Sequence, residues 1–311
     1  MPVSSTSPVV TRLCVLLKQS IGVQEARNEV RWMQKHLKQI SPGSADIETM
    51  LQRRLNGEPL QYILGSQPFG PLNLLTRPPV LIPRPETEDW TIRLSDHLLS
   101  RRNKPSISLL DLCTGSGCIP ILLCHLLPAG TLRATGVDVS MAAVQLARDN
   151  TALCGIAEPP VAPARQDIRN HRNTFLPLLG NIRDPAFAAS CDLRPPYDVV
   201  TSNPPYITRE DYDRLPSSVR DWEDPRALIG DPSGEIPPSR EAQGLTFYHT
   251  IADLLVNPVT KLLKEDGLVV LEVGEGQAGA VADILERKAR MKHIELWKDP
   301  WGTERVVVGQ N

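Results

Sequence analysis

Hydrophobic side chains in the first 56 residues recur at the three- and four-residue spacing of amphipathic helices. Gly57, followed by Pro59, is a stop signal for the last of these helices. The pattern therefore predicts a small helical domain over residues 1–57. The positions that carry it are Val9, Leu13, Leu16 and Leu17, then Ala26, Val30, Met33 and Leu37, then Ile47, Leu51 and Leu55.

The stretch 58–85 is rich in proline and glycine and contains two short apolar runs. These runs, 72–75 and 80–82, are separated by turn-forming residues. Such spacing predicts a β-hairpin, which would link the helical domain to the rest of the chain. A further helix is expected over 86–99, at the start of a larger domain that occupies 86–311.

From Ile107 onward, apolar strand-like runs alternate with helical segments. This alternation predicts an α/β domain in which helices cover both faces of a mostly parallel sheet. Only a tight turn separates the last two runs, so a hairpin should make one edge of the sheet antiparallel. Two stretches without periodicity, 169–196 and 231–243, are expected to be surface loops. The predicted strands lie near 107–113, 132–139, 161–165, 197–202, 267–273, 293–298 and 304–309.

Composition excludes several classes of protein. The chain has 311 residues, 41% of them hydrophobic, and a formal net charge of −2, so it can bury a core but has no global field for nucleic acid. No apolar run approaches the roughly 20 residues of a membrane span. Six cysteines lack ligand spacing, which predicts free thiols and no metal site. Residues 1–24 contain Arg12 and Lys18 but no acid, as expected either of a transit-peptide remnant or of a frayed tail.

A glycine-containing turn follows the first strand of the α/β region. Glycines let the backbone approach a ligand, and the start of the next helix offers unpaired N–H groups. The dinucleotide fingerprint requires a glycine where Pro120 stands, so NAD is the weaker interpretation. Asp138 closes the second strand, where a carboxylate can accept both ribose hydroxyls. A bare tight turn, and a helix cap at Asp138, are the alternatives; together these residues predict a nucleoside ligand. The residues assigned to it are Asp111, Cys113, Thr114, Gly115, Ser116, Gly117, Asp138, Asp167 and Ile168.

The tetrapeptide Asn203-Pro204-Pro205-Tyr206 follows the strand at 197–202, at the same carboxyl edge of the sheet. The side-chain oxygen of Asn203 and the carbonyl of Pro204 can each accept one N–H of a planar NH₂ group, while Tyr206 stacks on its flat face. Two prolines restrict φ and stiffen the acceptors. The alternative is a simple turn beside an aromatic residue. Placed after a parallel strand, the tetrapeptide predicts catalysis on a conjugated nitrogen, with all four residues catalytic and Asn203 also beside the cofactor.

The chain resembles the HemK/PrmC family of release-factor glutamine methyltransferases over almost its whole length. The stretches 57–65, 69–70 and 81–88 resemble the linker of that family, and the motifs at 111–117, 138, 203–206, 223–228 and 271–277 follow in the family order. Cys113 stands where the family more often has glycine, Ile168 where bacterial members often have an aromatic residue, and 231–243 looks like an insertion.

The resemblance implies a Rossmann-like seven-stranded class I methyltransferase domain that binds S-adenosylmethionine and releases S-adenosylhomocysteine. It also implies that the helical domain recognises a release factor and that the product is N5-methylglutamine in a Gly-Gly-Gln motif. The proline-rich insertions and the acid-free N-terminus favour a mitochondrial, matrix-located member over a cytoplasmic one. Candidate recognition residues are Arg27, Arg31, Lys35 and Lys38.

Two other functions are compatible with the same motifs. One is methylation of an exocyclic amine of a nucleic-acid base, which predicts basic, aromatic-rich surfaces that a chain with 5% aromatic residues lacks. The other is a non-catalytic protein that binds S-adenosylmethionine, which the intact tetrapeptide argues against. We therefore expect a monomeric enzyme with a protein substrate, without a direct nucleic-acid substrate or a membrane partner.

Overall fold

A computed structural model describes residues 7–41, 43–100, 106–159, 172–187, 191–232 and 243–311. The chain begins with helices α1 (Pro8–Ile21), α2 (Val23–Leu37) and α3 (Ile47–Leu55), followed by the short α4 (Leu60–Leu64). Their apolar faces form a separate core, although Val9 and Leu16, two of the apolar positions in the predicted pattern, are exposed. That core contains Val10, Leu17, Ala26, Met33, Met50, Leu51, Leu60 and Ile63.

A two-stranded antiparallel hairpin follows, but its strands are not the predicted pair. They are β1 (Ser66–Phe69) and β2 (Leu72–Leu75), so the run at 72–75 is the second strand and not the first. The turn lies at Gly70, whose φ of 57° favours glycine. The run at 80–82 forms no strand, because residues 78–80 lie in a turn in which the Val80 N–H donates to the Arg77 carbonyl at 3.0 Å.

The larger domain is built on a seven-stranded sheet between two layers of helices. The strand order is β5-β4-β3-β6-β7-β9-β8; β9 is antiparallel to both β7 and β8, whereas the other neighbouring pairs are parallel. The predicted hairpin between the last two strands is therefore confirmed, and so is the α/β class. The strands are β3 (Ile107–Leu112), β4 (Leu132–Asp138), β5 (Thr174–Leu179), β6 (Tyr197–Ser202), β7 (Leu263–Glu272), β8 (His293–Lys298) and β9 (Glu304–Gln310).

Helices connect these strands. Both faces of the sheet are covered by large buried clusters, one under α5 and α6 and the other under α11 and α12. The helices are α5 (Pro85–Ser100), α6 (Cys118–Leu126), α7 (Met141–Leu153), α8 (Arg209–Arg214), α9 (Ser217–Arg220), α10 (Pro225–Leu228), α11 (Thr246–Val256) and α12 (Ala278–Arg287).

One strand prediction was wrong. The stretch 169–196 was expected to be a loop, yet it contains β5, which pairs with β4 along its whole length. Pro177 masked this strand, but β5 is the edge of the sheet, where a missing N–H does not interrupt a ladder. The strand predicted near 161–165 lies outside the described residues.

Candidate functional site

The turn between β3 and α6 brings backbone to the carboxyl edge of the sheet. Cys113, Gly115 and Gly117 have φ angles of 59°, 55° and 79°, all in the left-handed region. A Cβ on Gly117 would lie 2.9 Å from the ring of Phe175, so a glycine is needed for this close packing. The result is a tight loop whose Cys113 and Gly115 line a large cavity.

Asp111 stabilises this loop from below and does not line the cavity. Its Oδ2 accepts from the Thr114 hydroxyl at 2.6 Å, and its Oδ1 accepts from the Thr201 hydroxyl at 2.7 Å. Full burial raises the pKa of Asp111 to about 7, although the two threonine hydrogen bonds act in the opposite direction. Thr114, Ser116 and Gly117 are likewise absent from the cavity wall. These four residues therefore shape the loop.

Asp138 lies at the end of β4 and does line the cavity. Its Oδ2 accepts from the backbone N–H of Gly115 at 2.9 Å, and its Oδ1 accepts from that of Ser140 at 2.8 Å. Burial raises the pKa of this carboxyl, and the two backbone hydrogen bonds oppose the rise. The N-cap of α7 is Ser140, and Asp138 binds only the N–H of that residue, so Asp138 does not cap the N–H groups of the first helical turn. Each of its oxygens retains a second lone pair for a ligand. Asp167 and Ile168 lie outside the described residues.

Two cavities meet at Asn203, directly after β6. The larger has a volume of about 430 Å³ and is lined by Cys113, Gly115 and Asp138 on one side and by Asn203 and Pro205 on the other. The smaller has a volume of about 200 Å³. Its wall includes Leu81, Arg84, Asn203, Tyr206, Ile207 and Leu228. Pro204 is buried and lines neither cavity.

The Asn203 side chain is hydrogen-bonded to Thr87, and through Thr87 to Glu272, two residues to which the sequence pattern assigns no role. Its Nδ2 donates to the Thr87 hydroxyl oxygen at 3.1 Å, and that hydroxyl donates to Glu272 Oε2 at 2.6 Å. Trp90 Nε1 donates to the same carboxylate oxygen at 2.7 Å. Burial raises the pKa of Glu272, while hydrogen bonds from Thr87 and Trp90 counteract it. Both positions fall within stretches singled out above, 81–88 and 271–277, but local sequence carries no sign of their contact.

Tyr206 is fixed at both ends. Its hydroxyl donates to Glu272 Oε1 at 3.5 Å, and its carbonyl accepts from Gln277 Nε2 at 2.9 Å. Burial raises the pKa of Tyr206. Gly244 lies so close that a Cβ there would be 2.0 Å from the Tyr206 carbonyl oxygen. The last residue of the tetrapeptide therefore has almost no room to shift.

Arg84 forms one wall of the smaller cavity. Its Nη2 lies 2.7 Å from both carboxylate oxygens of Glu223, whose side chain is 1% exposed. Burial raises the pKa of Glu223, and Arg84 opposes the rise. The linker that carries Arg84 is thus joined to the segment after the tetrapeptide by a buried ion pair.

The described ranges contain no group of three or more His, Cys, Asp or Glu side chains that could hold a metal ion. Within the same ranges, no helix is both long enough and apolar enough to cross a bilayer. The segment 231–243 is described only at its ends, since residues 233–242 lie outside the described ranges. Asp231 is buried there and accepts from the Gly244 N–H at 2.6 Å.

Comparison with known proteins identifies relatives along the whole chain. Residues 12–65 match the family model of the PrmC N-terminal domain. The release factor glutamine methyltransferase of Thermodesulfovibrio yellowstonii is 33% identical over 85% of this chain and 80% of its own length. The mitochondrial MRF1 N(5)-glutamine methyltransferase MTQ1 of Saccharomyces cerevisiae is 30% identical over 96% of this chain and 83% of its own length.

The solved structure of the release-factor-specific protein-(glutamine-N5) methyltransferase from Alicyclobacillus acidocaldarius covers 74% of this chain and 94% of its own, with 23% identity and a TM-score of 0.38. A likeness this loose defines no side-chain roles. The sequence relatives are closer, at 33% and 30% identity over 85% and 96% of this chain. The chain therefore belongs to the family of release factor glutamine methyltransferases.

Proposed function

We propose that this chain transfers a methyl group from S-adenosylmethionine to the side-chain amide nitrogen of the glutamine in the Gly-Gly-Gln motif of a peptide chain release factor. The products are N5-methylglutamine and S-adenosylhomocysteine. One observation carries this proposal: of the three residues that line both cavities, Leu81, Asn203 and Ala227, Asn203 alone has a polar side chain, which lies between a cofactor-sized space and a smaller space open to an acceptor.

The larger cavity fits S-adenosylmethionine. Its volume of about 430 Å³ falls within the roughly 300–1,000 Å³ of small-molecule sites. Asp138 offers free lone pairs to the ribose hydroxyls, and the Cys113–Gly115 backbone leaves room for the rest of the molecule. When bound, the cofactor supplies an electrophilic methyl group on a positively charged sulfur.

The smaller cavity fits a glutamine side chain. Asn203 Oδ1 accepts one N–H of the target carboxamide, and Tyr206 packs against its plane. Pro204 lines neither cavity, so the role assigned to its carbonyl, accepting the second N–H, stays a prediction. An amide nitrogen is a poor nucleophile because its lone pair is delocalised into the carbonyl. Fixed acceptors stabilise the positive charge that develops on nitrogen as the new N–C bond forms and the bond between the methyl carbon and sulfur breaks, its electron pair remaining on sulfur. One N–H proton then leaves to solvent.

The domain limits follow from the same proposal: residues 1–57 recognise the release factor, 58–85 link, and 86–311 carry the chemistry. We further propose a monomer in the mitochondrial matrix, a location supported by the similarity to the yeast mitochondrial enzyme. Light scattering tests the monomeric state, and protease protection of the tagged protein in isolated mitochondria tests the matrix location.

Transfer of labelled methyl groups to a purified release factor tests the function, with DNA and RNA assayed in parallel. We expect mass spectrometry to find one added methyl group, on the Gly-Gly-Gln glutamine.

Asn203→Ala should lower kcat by roughly 10²-fold or more, by analogy with a lost oxyanion donor, and leave cofactor affinity within a few-fold. Asp138→Ala should instead weaken cofactor binding by about 1–3 kcal/mol. In the methyl-transfer assay, methylation of DNA or RNA without methylation of the release factor would refute the proposed substrate.

A further inference from the structure

The Asn203 carboxamide has two chemically opposite ends, and only one of them suits the proposed acceptor. Its oxygen accepts hydrogen bonds, whereas its NH₂ group only donates. A target NH₂ group therefore needs the oxygen to face the cavities. Which end faces them is decided by the contact on the other side of the amide, where Nδ2 lies 3.1 Å from the Thr87 hydroxyl oxygen.

The Thr87 hydroxyl has a single proton, and it donates that proton in a hydrogen bond to Glu272. The distance from Thr87 Oγ1 to Glu272 Oε2 is 2.6 Å, a short contact of the kind that a charged acceptor makes. Trp90 Nε1, which can only donate, points to the same oxygen at 2.7 Å, and the Tyr206 hydroxyl points to the other oxygen. Three donors thus converge on this carboxyl group, an arrangement that fits its ionised form.

The carboxylate of Glu272 therefore determines which group donates and which accepts in each hydrogen bond of this chain. With its proton directed to Glu272, Thr87 can only accept from Asn203, so Asn203 must turn its Nδ2 inward and its Oδ1 toward the cavities. A flipped amide would place two oxygens in contact without a proton between them. It would also present an NH₂ group to the NH₂ group of the acceptor.

We propose that Thr87 and Glu272 are positioning residues, which fix the Asn203 amide with its oxygen toward the acceptor; this inference rests on the proposed function. The three side chains come from the first turn of α5, the end of β7 and the residue after β6, so the arrangement links three elements at the carboxyl edge of the sheet. Thr87 is 2% exposed and Glu272 is 1% exposed. An apolar side chain of similar volume would often stabilise the fold as well as a buried carboxylate does, so the presence of Glu272 favours a role beyond packing.

Two variants of Thr87 separate positioning from packing. Thr87→Val keeps the shape and removes the hydroxyl, whereas Thr87→Ser keeps the hydroxyl and removes a methyl group. With the full-length enzyme and an intact release factor, Thr87→Val should lower kcat roughly tenfold, the effect of one misplaced hydrogen-bond acceptor. The KM for S-adenosylmethionine should stay within twofold. Thr87→Ser should restore kcat to within threefold of wild type. A serine variant as slow as the valine variant would overturn the proposal.

Combination with Asn203→Ala gives a sharper test, because a residue that acts through Asn203 has nothing to position once that amide is gone. In the Asn203→Ala background, Thr87→Val should change the residual rate by less than twofold. A further tenfold loss would mean that Thr87 acts independently, and would overturn the proposal.

A spectroscopic measurement on the wild-type protein needs neither folding of a variant nor turnover. In ¹⁵N–¹H spectra, the Asn203 NH₂ group should show slow hydrogen exchange with water, because it faces buried Thr87. Fast exchange of both protons would place the NH₂ group in the cavity and refute the orientation. A wild-type enzyme that left the release factor unmethylated would refute the proposed function, whereas normal wild-type turnover with full activity of Thr87→Val would refute only the positioning role.

Discussion

At the scale of single residues, Cys113 shows how an unusual residue can be tolerated. The resemblance placed it where glycine is more common, and its φ of 59° is a conformation that glycine adopts without strain. A left-handed conformation costs a residue with a Cβ about 1–2 kcal/mol, and the greater chain entropy of glycine offsets about 0.5–1 kcal/mol of this. These two terms leave at most about 1.5 kcal/mol, and loss of the Cys113 side chain, which packs against the core, reduces the gain. Cys113→Gly should therefore raise the free energy of unfolding, by less than about 1.5 kcal/mol, in urea denaturation.

Cys154 provides a matched control, since its φ of −82° carries no such strain. Cys154→Gly should lower the free energy of unfolding by about 0.5–1 kcal/mol. If both variants were destabilised alike, strain at Cys113 would not be the dominant effect.

Asp111 gives a second prediction at this scale. Burial raises its pKa to about 7 in the folded protein, compared with about 3.9 in an unfolded chain. The folded state thus binds a proton more tightly, so the contribution of Asp111 to stability is full below pH 4 and is lost as the pH rises through 7. Between pH 6 and pH 8 the free energy of unfolding of the wild type should fall by about 1 kcal/mol more than that of Asp111→Asn. Equal slopes for the two proteins in urea unfolding would contradict the raised pKa.

Residue chemistry was predictable where the function lies in a local motif, and not where it depends on contacts across the chain. The tetrapeptide and Asp138 were recognisable from their positions after apolar strands. Thr87 and Glu272 are 185 positions apart, and nothing in either neighbourhood indicates that they meet. Asp111 was recognised as part of the site but lies behind the loop, since the sequence does not reveal which face of a turn a side chain takes.

At the scale of elements, periodicity located the helices and the buried strands, and proline accounts for the errors. Pro177 hid β5, because a proline inside an apolar run argues against a central strand but not against an edge strand. The hairpin was displaced for the same kind of reason: its turn at Gly70 was passed over in favour of the prolines at 78 and 79. Strand order and pairing register were beyond periodicity altogether, as they depend on the packing of helices against the sheet.

A prediction at this scale concerns the segment that leads into α11. Gly244 has a φ of 74°, and a Cβ there would lie 2.0 Å from the Tyr206 carbonyl oxygen, which is backbone and cannot rotate away. Gly244→Ala should therefore displace the tetrapeptide, lowering kcat at least roughly tenfold, as expected of an approximately 1 Å misplacement of reacting groups. Kinetics with the intact release factor measure this.

Gly155→Ala is the matched control, because Gly155 has a similar φ of 66° but no atom within 4 Å of the position that a Cβ would take. Both variants share the cost of the left-handed backbone, and only Gly244→Ala adds the collision. Equal kcat values for the two would show that contact with Tyr206 is unimportant for turnover.

At the scale of the whole molecule, the proposed acceptor site is formed jointly by residues of the linker and of the larger domain. The smaller cavity takes Leu81 and Arg84 from the linker and Asn203 and Tyr206 from the sheet edge. The ion pair between Arg84 and buried Glu223 holds these two parts together. The helical domain has its own core. On α2, several basic side chains and Glu25 are exposed, whereas Glu29 is buried against Arg54.

The last prediction concerns how a folded substrate is recognised. A glutamine side chain alone offers too little contact to offset the entropy lost on binding, so remote surface must contribute. On α2, Arg27, Arg31 and Lys35 are exposed around Trp32, which is 47% exposed. The double variant Arg31→Glu/Lys35→Glu should raise the KM for an intact release factor roughly tenfold, since each exposed charge pair contributes up to about 1 kcal/mol. With a short Gly-Gly-Gln peptide, the same variant should behave as wild type, and added salt should shrink the difference with the intact factor. Arg290→Glu/Lys292→Glu makes the same charge change on exposed residues before β8 and should affect neither substrate. Equal losses with factor and peptide would assign α2 a role in the fold or the active site, and not in recognition.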